Sequence, residues 1–259
     1  MILALDIGNT NIVIGCIEDG KILSSSRIAT NRNRTVDEYA VDFQSIFLLN
    51  QIHPDHIEGC IISSVVPPLV DTLVSTLKKV SGKTPLVVGP GVKTGLNIRI
   101  DNPAQLGSDL VAAAVAANAE YTKPIILVDL GTATTVSVID EYGSYLGGMI
   151  IPGVQISQEA LTSRTSLLQS ITFDAPIHVI GTNTNDCMKS GAIYGNAVMI
   201  DGIADLIEDT LKKEFTVIAT GGLANCIIPY CRRKIILDEN LLLKGLWLIY
   251  EKNKDSHKQ

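Results

Sequence analysis

One short unit, an apolar strand, a glycine turn and a returning strand, occurs twice in this chain of 259 residues. Leu3-Ala4-Leu5-Asp6-Ile7-Gly8-Asn9-Thr10-Asn11 is matched by Ile126-Leu127-Val128-Asp129-Leu130-Gly131-Thr132-Ala133-Thr134-Thr135, with Asp6 against Asp129 and Gly8 against Gly131. At the same offset Val13 falls on Val136, Glu18 on Glu141, Gly20 on Gly143 and Leu23 on Leu146, so the likeness continues into the next two strands. The repeat implies two related half-molecules, expected at 1–119 and 120–259, and the length suits two ordinary domains.

The rest of the pattern fits an α/β fold with helices laid over a sheet in each half. Ile2 to Ile7, Ile12 to Ile17 and Lys21 to Ser26 read as strands, with Asp19-Gly20 supplying a tight hairpin turn between the last two. Apolar spacing predicts helices over Asp37 to Asn50 and Leu69 to Val80, with strands at Ile57 to Val65 and Thr84 to Val88. The alanine-rich stretch Asp109 to Glu120 reads as a helix at whose end the first half closes. The second half offers strands near Pro124 to Leu130, Thr135 to Asp140, Ser144 to Ile150 and Glu214 to Thr220. Helices are predicted at Ser157 to Leu168, Asp186 to Leu211 and Asn240 to Asn253, before a charged tail from Lys252 to Gln259.

A net charge of -6 without a Lys/Arg cluster excludes a surface that binds nucleic acid by neutralising phosphates. The early carboxylate of Asp6 and the absence of a membrane-length apolar run indicate neither signal peptide nor membrane span, and a cytoplasmic protein is expected. Five scattered cysteines without Cys-x-x-Cys spacing read as buried thiols. His53 and His56 read as parts of a solvated turn, and His178 as a structural residue among apolar neighbours.

Asp6 and Asp129 each end an apolar strand, where a carboxylate can reach a cleft rather than the core. Gly8 and Gly131 let the backbone turn sharply and approach an anion. Either loop alone is an ordinary Asp-initiated turn. Two of them in related halves point to one ligand held from both sides, and a phosphorylated nucleotide with a cation suits the residue types. Thr132, Thr134 and Thr135 carry hydroxyls suited to phosphate oxygens, or form a β-branched strand edge. Gly221-Gly222 after a strand would admit a flat ligand against the backbone. Asp109, after Gly107-Ser108, either stabilises a helix end or serves as a base toward an attacking hydroxyl.

These residues, in this order, resemble the successive motifs of type III pantothenate kinases. The likeness spans Asp6 to Asn11, Asn102-Pro103 with Gly107 to Asp109, Asp129 to Thr135, Gly147 to Ile150 with Pro152-Gly153, Asn183-Thr184, Ser190-Gly191 with Gly195, Thr220 to Gly222 and Leu243 to Leu246. The broader acetate and sugar kinase, Hsp70 and actin superfamily shares only the two phosphate loops and the late glycine pair. The resemblance implies two duplicated actin-like (ribonuclease H-like) domains with an interdomain ATP cleft. It also implies a homodimer that transfers the γ-phosphoryl group of ATP to the primary hydroxyl of pantothenate, the first step of coenzyme A synthesis.

By the family pattern Asp6, Ile7, Gly8, Asn9, Thr10, Asn11, Ile12 and Val13 hold ATP phosphates, with Asp6 near Mg²⁺. Thr132, Gly221 and Gly222 also belong to the ATP site. Asp129 binds a monovalent cation, K⁺ or NH4⁺. Gly107, Ser108, Asp109 and Thr184 line the pantothenate site, Thr184 from the partner subunit, and Asp109 is the catalytic base. Three positions depart from the pattern. Leu110 stands where arginine usually follows the Gly-Ala-Asp motif, Ile100 where an aromatic residue often precedes Asp-Asn-Pro, and Ser137 where aspartate commonly follows the threonine pair. These departures bear on the acceptor site and leave two other readings. One is a catalytically impaired regulatory relative resembling transcription accessory factors. The other is a superfamily kinase for another small alcohol.

Overall fold

The computed structural model describes residues 1–176 and 178–255, so the end of the expected tail lies outside the described residues. Its contacts divide the chain into two units. The first holds Met1–Leu96, Asp101–Ala119 and the chain from Asn240 onward; the second holds Asn97–Ile100 and Glu120–Glu239. The chain thus passes into the second unit after residue 119 and returns to the first at Asn240, a return that a single division at residue 120 does not provide for.

In the first unit β1 (Ile2–Ile7), β2 (Asn11–Glu18) and β3 (Lys21–Ala29) form an antiparallel meander. Next, β4 (Gly59–Ser64) and β5 (Leu86–Val87) extend the sheet in parallel, giving the order β3-β2-β1-β4-β5. The predicted strand from Thr84 to Val88 shrinks to two residues. Two helices, α1 (Val36–Leu49) and α2 (Pro67–Ser81), supply Tyr39, Phe43, Leu69 and Leu73 to a core shared with Leu3, Leu5 and Ile7 of β1. Each such fully buried side chain contributes about 1.5–3 kcal/mol. Thr35 starts α1 with a capping box: its hydroxyl accepts from the Glu38 N–H, and the Glu38 carboxylate accepts from the Thr35 N–H.

The opposite face of the sheet takes α8 (Leu241–Asn253). Gly15 leaves room for the Leu243 side chain and Gly59 for the Tyr250 ring. Alternate side chains of β1 therefore meet helices on both sides, which is why this strand reads as a continuous apolar run. The helix α3 (Ser108–Glu120), whose residues Val111 to Ala117 are all buried, crosses α8 closely. A Cβ on Gly245 would run into the Ala112 carbonyl oxygen. This fit returns the C-terminal helix to the first unit.

The second unit repeats the plan. After β6 (Asn97–Ile98), an edge strand, come β7 (Ile125–Leu130), β8 (Ala133–Ile139) and β9 (Ser144–Pro152), an antiparallel meander. Then β10 (Thr216–Thr220) and β11 (Ile236–Leu237) add in parallel, giving β11-β10-β7-β8-β9-β6. Without β6 the order and directions equal those of the first sheet. The helices are α4 (Val154–Arg164), α5 (Thr184–Ser190), α6 (Asn196–Leu211) and the short α7 (Ala224–Ile227). The expected Ser157 to Leu168 helix starts and ends earlier, and a π turn at Gly191–Gly195 interrupts the expected Asp186 to Leu211 helix.

Strand pairing corrects the register of the repeat. Asp6 lies opposite Val13, whereas Asp129 lies opposite Thr135, so the second loop is one residue shorter. The first hairpin closes on Glu18 and Lys21 around two residues, the second on Asp140 and Ser144 around three, which restores the offset. Val13 therefore corresponds to Thr135 rather than Val136, and Glu18 to Asp140 rather than Glu141. Among the thiols Cys16 and Cys60 are buried, but Cys187 is exposed, as is His178; both correct the sequence expectation. No helix among the described residues is long and apolar enough to cross a membrane.

The α3–α8 contact gives a stability prediction. Gly245→Ala forces the two helices apart and will lower unfolding free energy by about 1–3 kcal/mol, read as a lower urea midpoint. Gly191→Ala, where nothing lies within 4 Å of the added carbon, will leave the midpoint near that of the parent protein.

Candidate active site

The first loop is built at the end of a buried strand. Asp6 is half-buried, paired with Val13 on one side and with Ser63 of β4 on the other. Ile7 and Ile12 are fully buried, so of these two only main-chain groups can reach a ligand. Between them the Gly8 N–H donates to the Asn11 carbonyl at 3.0 Å, and Asn9 and Thr10 project into solvent. Thr30, just after β3, clamps the turn from outside. Its hydroxyl donates to the Gly8 carbonyl at 2.7 Å and its N–H to the Thr10 carbonyl at 2.9 Å.

At the start of α3, Ser108 is occupied by protein partners. Its hydroxyl donates to the Ser64 carbonyl at 3.1 Å, accepts from the Ser64 N–H at 2.9 Å and lies 3.0 Å from the Ser63 hydroxyl. The Ser108 hydroxyl thus ties the helix start to the end of β4 beside Asp6. Asp109 follows in the first helical turn, and its Oδ1 accepts the Leu110 N–H at 2.8 Å. Burial outweighs that bond and pushes the Asp109 carboxyl above the ordinary carboxylate range. The carboxyl thus bonds within the first helical turn while burial disfavours its charged form.

In the second loop Asp129 ends β7 between Thr135 of β8 and Thr220 of β10, as Asp6 lies between Val13 and Ser63. The Gly131 N–H donates to the Ala133 carbonyl at 3.1 Å. Thr132 is exposed in the turn, whereas Thr134 is fully buried and so faces the core. Gly221 directly follows the strand beside Asp129, with φ of +100°, and a Cβ there would stand 2.5 Å from Asp129 Oδ1 and 2.6 Å from the Leu130 backbone. The bare glycine keeps that carboxylate accessible. Gly222 is exposed beside it.

Thr184 opens α5 after Asn183, whose side chain caps the helix at the Asp186 N–H, 2.9 Å away. It borders an apolar cavity of about 410 Å³ lined also by Val154, Leu161 and Met188. Of the departures from the family pattern, Ser137 bonds the Tyr145 hydroxyl at 3.0 Å in the interior, Ile100 packs near Gly147, and Leu110 is half-buried. Sequence reading missed Thr30, Ser63 and Ser64. Their signal was positional: polar residues at the ends of β3 and β4, two strands of the sheet built around β1.

No cluster of three or more His, Cys, Asp or Glu side chains among the described residues forms a metal cage. Single carboxylates beside amide-rich turns suit a cation shared with phosphate oxygens and water, the usual way Mg²⁺ is held.

Comparison with known proteins gives this arrangement a family. A model of the type III pantothenate kinase family matches residues 2–206. A curated type III pantothenate kinase from Halalkalibacterium halodurans is 46% identical over 253 residues, covering 98% of this chain and 100% of that protein. One from Bacillus cytotoxicus is 44% identical over 253 residues, covering 98% and 97%. Among solved structures, the activator of 2-hydroxyisocaproyl-CoA dehydratase from Clostridium difficile with bound ADPNP aligns at TM-score 0.55 and 12% identity, covering 99% of this chain and 97% of the other. The inorganic polyphosphate/ATP-glucomannokinase from Arthrobacter sp. strain KM aligns at TM-score 0.51 and 15% identity, covering 99% of each chain. The distant structures share the actin-like fold, and the family model with its close relatives carries the assignment: this chain belongs to the type III pantothenate kinase family.

Proposed function

We propose that the protein phosphorylates pantothenate with ATP to give 4'-phosphopantothenate, the first step of coenzyme A synthesis, and works in the cytoplasm as a homodimer. The observation that carries the chemistry is Asp109, a desolvated carboxylate anchored through Ser108 beside Asp6 and the first glycine turn. Full-length likeness to named pantothenate kinases supports the acceptor.

Asp6, the main chain of Ile7, Gly8 and Ile12, and Asn9, Thr10, Asn11 and Val13 would hold the ATP phosphates, with Thr132, Gly221 and Gly222 also contacting nucleotide. Asp6 would hold Mg²⁺ through phosphate or water, and Asp129 a K⁺ or NH4⁺ ion. When bound, the cations supply compensation for charge on the transferring group. Gly107, the main chain of Ser108 and Thr184 would contact pantothenate. Asp109 accepts a hydrogen bond from the primary hydroxyl and aligns its oxygen with the γ-phosphorus. As the new O–P bond forms and the bond to ADP breaks, Asp109 takes the hydroxyl proton and later returns it to water. The regulatory alternative is not favoured, since the relatives matched over their whole length are named as kinases.

The deciding assay follows ADP release from protein, ATP, Mg²⁺ and K⁺. Release on adding pantothenate, and little without it, is expected; release with a different alcohol alone would defeat the proposal. Asp109→Asn will remove turnover while leaving the unfolding midpoint at neutral pH unchanged or higher, because a neutral amide costs less to bury than a carboxylate. The raised carboxyl also fixes the sign of the pH dependence. As pH falls through the raised value the base is protonated, so the acid limb of kcat/KM will lie above the ordinary carboxylate range, about 4. Na⁺ in place of K⁺ will lower kcat if Asp129 holds a larger ion. Gly221→Ala will lower activity in K⁺ by about tenfold or more, since a fixed carbon then crowds Asp129.

A further inference from the structure

We propose that Arg32, on a strap outside both glycine loops, is a further nucleotide-binding residue that supplies a positive charge to the phosphates of ATP. The inference rests on the nucleotide reading of the Asp6 loop. That loop offers backbone amides, neutral side chains and a carboxylate but no cationic side chain of its own, while its ligand carries several negative charges. Arg32 Nη2 donates to Asn9 Oδ1 at 3.2 Å, which places the guanidinium at the tip of the turn.

Three features separate Arg32 from an ordinary surface arginine. First, the guanidinium is exposed and has no carboxylate partner among the described residues, whereas Arg34 pairs with Asp42 and Arg233 with Asp205 and Glu208. Second, the backbone that carries it is fixed on both sides. Thr30 is bonded to Gly8 and Thr10, and the fully buried Tyr39 hydroxyl donates to the Asn31 carbonyl at 2.8 Å and accepts the Asn31 N–H at 3.1 Å. The Asn33 N–H donates to Asn31 Oδ1 at 3.0 Å, and Arg34 lies over the Tyr39 ring. The ordering cost of the strap is thus met on folding, and only the Arg32 side chain has still to be immobilised when a ligand arrives. Third, a guanidinium carries five donors in a planar fork, and the structure assigns one to Asn9. The others remain for phosphate oxygens, with which arginine forms paired bonds.

The same contact gives Asn9 a second task. Its amide oxygen holds the guanidinium at the loop, so Asn9 is a positioning residue for Arg32.

The test compares the full-length parent with Arg32→Met, Arg32→Lys and the distant charge control Lys83→Gln. Mg-ATP affinity is measured by calorimetry without acceptor, and the KM values for ATP and pantothenate by initial rates. Arg32→Met should weaken Mg-ATP binding and raise KM for ATP by about tenfold, as expected for one charged hydrogen bond, with KM for pantothenate changed less than twofold. Arg32→Lys should recover part of the loss, because the charge is kept and the fork is not. Lys83→Gln should match the parent. Unchanged Mg-ATP affinity in Arg32→Met, an equal loss in Lys83→Gln, a rise confined to KM for pantothenate, or a parent that does not bind Mg-ATP would each overturn the inference. A parent that binds Mg-ATP but releases no ADP with pantothenate would instead defeat the proposed function, and the binding series would still decide the role of Arg32.

Discussion

A carboxylate cannot be carried into an apolar sheet without several kcal/mol of desolvation cost, about the size of a domain's whole stability margin. In both halves of this protein that constraint fixes where the buried central strand must open. Leu3, Leu5 and Ile7 face the α1–α2 layer, and Ile126, Val128 and Leu130 face the corresponding core of the second unit. Asp6 and Asp129 lie just before the last core residue of their strands, on the other face, and both are only half-buried. The chain then has to turn within a few residues, which it does through the Gly8 N–H to Asn11 and the Gly131 N–H to Ala133. Each unit thereby places a carboxylate, a glycine turn and short polar side chains at one end of its sheet.

The neighbours of these strands complete each site in a different way. On the parallel side, Ser63 sits beside Asp6 and Thr220 beside Asp129. In the first unit the chain uses that edge to hold Ser108 and so to fix the desolvated Asp109. In the second it places Gly221 there and keeps the edge open around Asp129. One ancestral plan thus carries an anchored, desolvated carboxyl in one copy and a carboxylate beside a bare glycine in the other. The division matches the needs of phosphoryl transfer, which depends on alignment and charge compensation more than on covalent help from the protein.

Some of this was legible from residue order. The paired Asp-x-Gly turns, the Asp19-Gly20 hairpin and the capping of α1 are local, because each depends on backbone conformations that a few neighbouring residues dictate. The one-residue difference between the loops was hidden, since a shorter turn and a longer hairpin cancel and leave the offset intact on either side. The burial of the Ile7 and Ile12 side chains was hidden for a related reason. A motif counts consecutive residues, whereas a strand sends alternate side chains to opposite faces, and these two face the core.

The sequence by itself determined that there are two copies of an α/β unit, where their glycine turns fall and which family motifs they carry, because those properties follow from local periodicity and turn chemistry. Only the tertiary structure decided that the last helix belongs to the first unit, where Gly245 meets Ala112, and that the Ser108 hydroxyl bonds Ser63 and Ser64. It also decided that Thr30 and Arg32 hydrogen-bond to the first loop. These outcomes join residues far apart in the chain, and their energies come from close packing and hydrogen-bond geometry, which composition and spacing do not encode.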